Sequence, residues 1–188
     1  MNDFRRDDQW QKEMRGAFLV PFYRRYRGLM LLDEGRFAEL LQKDGCDTLV
    51  WKYDHHPIAV EEKIVRSPQG REPYTAICLE TESCTVPGYI SRGWMWYSKA
   101  DVLFYCMHQA NDTLDCLWID FPKLHKWFWL REKQFPLSVL ADTINQTASR
   151  VVPIDSIAGA GILMRRFTLL REATGCPSAD ETREEAAE

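Results

Sequence analysis

Glu61, Glu62 and Lys63 lie in a run, residues 58–65, where aliphatic and charged side chains alternate, and that pattern predicts a strand. Successive side chains of a strand point to opposite faces. Glu61 and Lys63 therefore share one face, and Glu62 joins Val60 and Ile64 on the other. Asp47 stands at the start of an earlier strand-like run, residues 48–53, thirteen residues before Val60. If the two runs pair as a hairpin, Asp47 approaches Glu61. Two carboxylates and an ammonium group at one point suit metal-assisted hydrolysis of a phosphodiester. Hard carboxylate oxygens bind Mg²⁺ or Mn²⁺. The metal polarises a phosphoryl oxygen and lowers the pKa of a bound water. The lysine positions that water or helps deprotonate it, and stabilises charge developing on phosphorus. A Glu-x-Lys triplet also occurs on ordinary solvated strand faces, so its weight comes from the elements that position it.

Those elements are predicted as follows. Residues 3–27 are mostly helix formers, with a kink or break at Pro21. Residues 36–43 form a short helix with Phe37, Leu40 and Leu41 as its apolar stripe, closed by Gly45. Three strands follow, at 48–53, 58–65 and 74–79, as a meander packed on that helix. Residues 101–107 and 116–121 read as two more strands around an Asn111-Asp112 turn, and 123–133 as a helix after Pro122. The segments 154–158 and 164–170 carry weaker signals. The expected fold class is α/β: one domain over residues 1–177, with a mixed central sheet of about five strands flanked by helices. Residues 178–188 lack an apolar stripe and read as a disordered acidic tail.

With a helix, then Asp47 before a strand, then Glu61-x-Lys63 in the next strand, the sequence resembles the PD-(D/E)xK nuclease superfamily, whose fold is restriction-endonuclease-like. The resemblance spans about residues 37–133. It lies closest to small phage or bacterial members with a Gln-x-x-Gly-x-Asp segment, here Gln42 to Asp47, a Glu in the third strand, here Glu80, a following Gly93-Trp94 and a strand led by Asp101. What the resemblance implies is a Mg²⁺- or Mn²⁺-dependent nuclease, acting on DNA, with Asp47 and Glu61 holding the metal and Lys63 as the catalytic lysine. Gln42 and Glu80 would be auxiliary. Cys46 replaces the proline that usually precedes the first acid. Asp54 is a rival for that acid, but it sits in the turn, close in sequence to Glu61. A member that has lost catalysis would instead bind nucleic acid or a protein partner, as a phage-encoded inhibitor does.

Other residues read more plainly. His55-His56 is a polar turn, since adjacent side chains diverge. No serine lies in a G-x-S-x-G setting, and Gly159-Ala-Gly161 lacks the Lys-Ser/Thr of a phosphate loop. Residues 93–97, Gly-Trp-Met-Trp-Tyr, read as core or groove wall, with base stacking as the alternative. Arg24, Arg25 and Arg27, and then Lys123, Lys126 and Lys133 among three large aromatics, are candidate phosphate contacts, with Arg165-Arg166 a further patch. The six cysteines show no C-x-x-C pair and read as reduced thiols, Cys78 and Cys106 as small buried hydrophobes.

Among 188 residues, 45% are hydrophobic and 12% aromatic, which excludes a low-complexity or largely disordered chain. No apolar run is long enough to span a bilayer, and residues 1–10 are polar, so a cytoplasmic protein without a secretory signal is expected. A homodimer is compatible with this reading. Taken alone, the net charge of −4 argues against a phosphate-binding protein, yet residues 178–188 hold five acids and one base, and so all of it. The rest of the chain is neutral, with basic stretches on a balanced background.

Overall fold

The computed structural model describes residues 4–26, 30–32, 35–51, 56–66, 74–86, 89–141, 146–171 and 183–185. Helix α1 (Phe4–Met14) runs into a π-helical turn (Arg15–Leu19) and then α2 (Val20–Tyr26). The expected kink at Pro21 takes this form: proline lacks an N–H, and the π turn just before it widens the ladder, with the Val20 N–H bonded to the Arg15 carbonyl. A short strand β1 (Met30–Leu32) and helix α3 (Gly35–Lys43) follow.

Strands β2 (Thr48–Trp51) and β3 (Ile58–Arg66) pair antiparallel, Thr48 opposite Val60, as the alternation predicts. The third strand does not continue the meander. β4 (Ala76–Val86) leaves for a second sheet with β5 (Tyr89–Arg92), and the place beside β3 is taken by β6 (Val102–His108), which runs parallel to it with Glu61 opposite Leu103. A four-residue helix α4 (Trp94–Tyr97) bridges β5 to β6. β7 (Thr113–Asp120) returns antiparallel on β6 through a turn where Asp112 has φ 58°. Helix α5 (Phe121–Trp129) starts on an Asp120 cap, whose side chain accepts the Lys123 N–H, with Pro122 in its first turn. It ends four residues earlier than expected, and a 3₁₀ turn covers Glu132–Gln134.

The later chain adds β8 (Leu137–Ala141), β9 (Gln146–Pro153), α6 (Ile154–Gly159), β10 (Leu163–Leu170) and β11 (Arg183–Glu185). The first sheet has the order β1-β2-β3-β6-β7-β10-β11, and the second β5-β4-β9-β8. The fold class is therefore α/β with a mixed sheet. Five strands form its body, and β1 and β11 are three-residue edges. The expected tail is corrected in part, because Arg183–Glu185 pair with β10. The rest of that tail lies outside the described residues.

Both faces of β6 and β7 are buried, which is why β6 is apolar on both faces and why Asp115, within β7, is paired with Arg166. On one face Val60, Phe104, Trp118 and Phe167 meet Met14, Phe18, Phe22 and Tyr23 of the N-terminal helices. On the other, Leu103, Tyr105 and Ile119 meet Ile77, Leu79 and Val152 of the second sheet and Leu124 and Phe128 of α5. One core thus joins the two sheets. Fully burying each of these aromatics contributes about 1.5–3 kcal/mol, so both coverings are firmly held. Cys106 and Cys116 are buried free thiols facing one another across β6 and β7, whereas Cys78 is exposed, contrary to its apolar setting in sequence. Leu130 is exposed beyond the end of α5. No helix among the described residues is long and apolar enough to cross a membrane.

Candidate active site

Glu61 and Lys63 face the second sheet and α4, and Glu62 faces the N-terminal helices, following the strict alternation of β3. Lys63 Nζ lies 2.5 Å from Glu61 Oε1. Glu61 is buried at 3% exposure. Burial pushes its carboxyl up to about 7; Lys63 pulls it down, and Asp47 adds to the rise. For Lys63, burial works against the ammonium, but Glu61, then Asp47 and Glu80, outweigh it and hold the group above the ordinary lysine range. The ammonium also lies 5.3 Å from the centre of the Trp94 ring.

Asp47 is fixed by β3 rather than by its own strand. Its N–H donates to the Val60 carbonyl at 2.9 Å, and its Oδ2 accepts the Glu62 N–H at 2.7 Å. The residue remains exposed. Glu80 of β4 reaches the same charge cluster and accepts a hydrogen bond from the Ser83 hydroxyl. Gly93 lets it in: a Cβ there would stand 2.5 Å from the Glu80 carbonyl oxygen.

The loop before Asp47 is held as tightly. Gly45 has φ +64°, a conformation glycine adopts freely, and a Cβ there would lie 2.8 Å from both Ser98 Cα and the Tyr97 ring. Lys99 donates its N–H to the Asp44 carbonyl and pairs with the Asp44 carboxylate at 2.6 Å. Asp101 Oδ2 accepts the Ala59 N–H at 2.9 Å, clasping the leading ends of β3 and β6. Residues 98–101 thus form a polar turn that ties the loop before Asp47 to the start of β6.

Of the expected site residues, Asp47, Glu61, Lys63 and Glu80 are therefore brought together. Gln42 sits exposed at the end of α3 and supplies its carbonyl to the Gly45 N–H at 3.1 Å. The rival Asp54, with His55 and Arg27, lies outside the described residues. The basic candidates divide between layers. Arg24 and Arg25 are exposed on α2, across the sheet from Lys63. Lys123, paired with Asp120 at 2.8 Å, and the exposed Lys126 lie on α5, on the site's side of the sheet, and Lys133 is exposed just beyond it. Arg166 is occupied by Asp115 through two hydrogen bonds.

Glu62 has a different task. It accepts from Arg15 Nε at 2.6 Å and from the Tyr23 hydroxyl at 3.0 Å, tying β3 to the helices behind it. Trp94 and Tyr97, read from the sequence as core or groove wall, stand around the site, as does Ser83, which the sequence does not single out. Trp94 and Met95 are buried, while Trp96 and Tyr97 are exposed. A split between consecutive pairs comes from a single helical turn, too short to show a period.

Two carboxylates, completed by water and by substrate oxygens, are how proteins ordinarily hold Mg²⁺. Asp47 and Glu61 offer that donor set, with Glu80 nearby. Among the described residues no three His, Cys, Asp or Glu side chains form a ready ligand cluster. The chemistry of Asp47 and Glu61 would suit a hard cation that keeps part of its water shell. Compared with family models, characterised proteins and solved structures, the chain matches none.

Proposed function

We propose that this chain is a metal-dependent nuclease hydrolysing phosphodiester bonds, DNA in the first instance. The observation that carries the reading is the pairing at 2.5 Å of a buried Glu61 with a half-buried Lys63, beside an Asp47 tied to the same strand. An ion pair in low dielectric costs more to desolvate than an exposed one, and a merely solvated strand face does not bury it. Asp47 and Glu61 would hold Mg²⁺ or Mn²⁺, which supplies Lewis acidity and an activated water when bound.

The chain's own groups do the rest. Lys63, kept charged by the acids around it, stabilises negative charge developing on phosphorus and orients the attacking water. Burial raises the Glu61 carboxyl to about 7, so its carboxylate form, the one that would serve as a ligand, is held close to neutral pH. Glu80 balances the lysine. Trp94 shields one side of the ammonium from water, strengthening its field.

The test is cleavage of linear, circular and single-stranded DNA and of RNA, with Mg²⁺, Mn²⁺ or chelator. Metal-dependent cleavage lost in both Glu61→Ala and Lys63→Ala, with the fold retained, is expected. Full activity in either variant overturns the site. Salt-sensitive binding without cleavage under any divalent ion would make the chain a binding module instead.

A further inference from the structure

Strand β5 and helix α4 form one ribbon, residues 89–97, that ends at the carboxylates. Within it four large apolar side chains are exposed: Tyr89, Ile90, Trp96 at 46% and Tyr97 at 50%. Scattered exposed hydrophobics are normal, but a run of them leading into a polar site marks a contact surface. The ribbon carries a cation as well. The Arg92 guanidinium lies 5.0 Å over the Trp96 ring, and Trp129 of α5 adjoins Trp96 with ring centres 4.0 Å apart. Tyr97 is fixed from behind, because Gly45 packs against its ring with no room for a Cβ. Gly45 lies two residues before Asp47, so the exposed Tyr97 ring borders the loop that carries the first acid.

We propose that residues 89–97 are a stacking platform for single-stranded nucleic acid, with Tyr97 holding a base beside the scissile phosphate and Arg92 holding a backbone phosphate. Exposed rings take the π-face of any base, so such a surface is tolerant of sequence. In a duplex those faces are turned inward and stacked on one another, which leaves the rings with nothing to bind. A guanidinium lying over an aromatic ring still presents its N–H edge to phosphate, so Arg92 serves both groups. The proposal deepens the nuclease reading, and rests on it for the position of the scissile bond, but not for binding.

The experiment measures anisotropy of labelled oligothymidylate and oligouridylate, about 15 nucleotides long, and of a duplex of equal length, in chelator to prevent cleavage. Either single strand should bind more tightly than the duplex. Tyr97→Ala should weaken single-strand binding by about 5- to 150-fold, the loss of one stacked base, while Tyr97→Phe keeps the ring and the affinity. Equal duplex affinity, or wild-type affinity in Tyr97→Ala, overturns the platform. If Tyr97→Ala does not fold, Trp96→Ala and Tyr89→Ala are read by the same criterion. A dimer that these variants dissolve, with oligonucleotide binding unchanged, also overturns it and assigns the ribbon to a second copy of the chain. Cleavage with Mg²⁺ or Mn²⁺ is scored separately. Ring-dependent binding without cleavage leaves the platform standing and removes the nuclease reading; duplex cleavage indifferent to Tyr97 does the reverse.

Discussion

The Asp47 carboxylate accepts the backbone N–H of Glu62, so the first acid of the site is held by the strand that carries the second. The spacing between the two acids is thereby fixed by main-chain geometry rather than by side-chain packing.

Replacing Asp47 separates charge from structure. Asp47→Asn keeps an oxygen that accepts the Glu62 N–H, and its melting temperature should stay close to wild type. Asp47→Ala leaves that N–H without its partner and should cost about 1–2 kcal/mol in urea unfolding. Both variants should lose cleavage by at least about a hundredfold, because each removes a metal-binding charge. A fully active Asp47→Asn would remove this residue from the site.

Adjacent glutamates should behave differently. Glu62→Ala removes the acceptor of the buried Tyr23 hydroxyl and of Arg15 Nε, and should destabilise the chain by about 1–3 kcal/mol in denaturant titration. Its affinity for divalent cation, measured on whatever fraction remains folded, should change little, since its side chain faces away from the site. The opposite pattern is expected of Glu61→Gln: cation affinity lost, stability kept or raised.

The same residue gives a pH dependence with a definite sign. Glu61 has a folded pKa of about 7, above its ordinary 4.5, so the fold favours its protonated form. Its contribution is complete below about pH 4.5 and is lost as pH rises through 7, the full span being worth about 3 kcal/mol. Metal-free protein should therefore lose stability across that window relative to Glu61→Gln. Saturating Mg²⁺ should recover it in wild type, by about 2.7 kcal/mol at a hundred times Kd, and not in the variant. Parallel melting curves for the two proteins would refute the assignment.

Gly45→Ala tests the loop. The substitution puts a side chain at φ +64° and drives its Cβ into Ser98 and Tyr97. A loss of about 1–3 kcal/mol is expected by thermal denaturation, with Tyr97 displaced. Gly159→Ala has open space and ordinary backbone, and serves as the control.

Much of the site was legible because a strand's period is rigid. Alternation alone separated Glu61 and Lys63 from Glu62, and the Asp47–Val60 spacing anticipated a hairpin whose register is Thr48 opposite Val60. The Asn111-Asp112 turn and the Pro122 helix start followed from local chemistry in the same way. What sequence could not show was partner choice. Nothing in residues 76–82 distinguishes pairing with β3 from pairing with β9, about 70 residues further on, and that choice was made by packing. The exposure of Cys78 and the split of Trp94–Tyr97 between core and surface follow from that choice. Arg24 and Arg25 resembled Lys123 and Lys126 in composition, yet the sheet separates them into different layers.

β3 and β6 are the one parallel pairing among the described strands, and parallel neighbours need a long connection. Here that connection is the excursion carrying β4, β5 and α4, so the roof over Glu61 and Lys63 is a single detour of the chain between two adjacent strands. It is anchored only when β9 arrives to pair with β4. The hairpin that aligns Asp47, Glu61 and Lys63 is therefore local in sequence, whereas the layer that covers it is held in place by a long-range pairing.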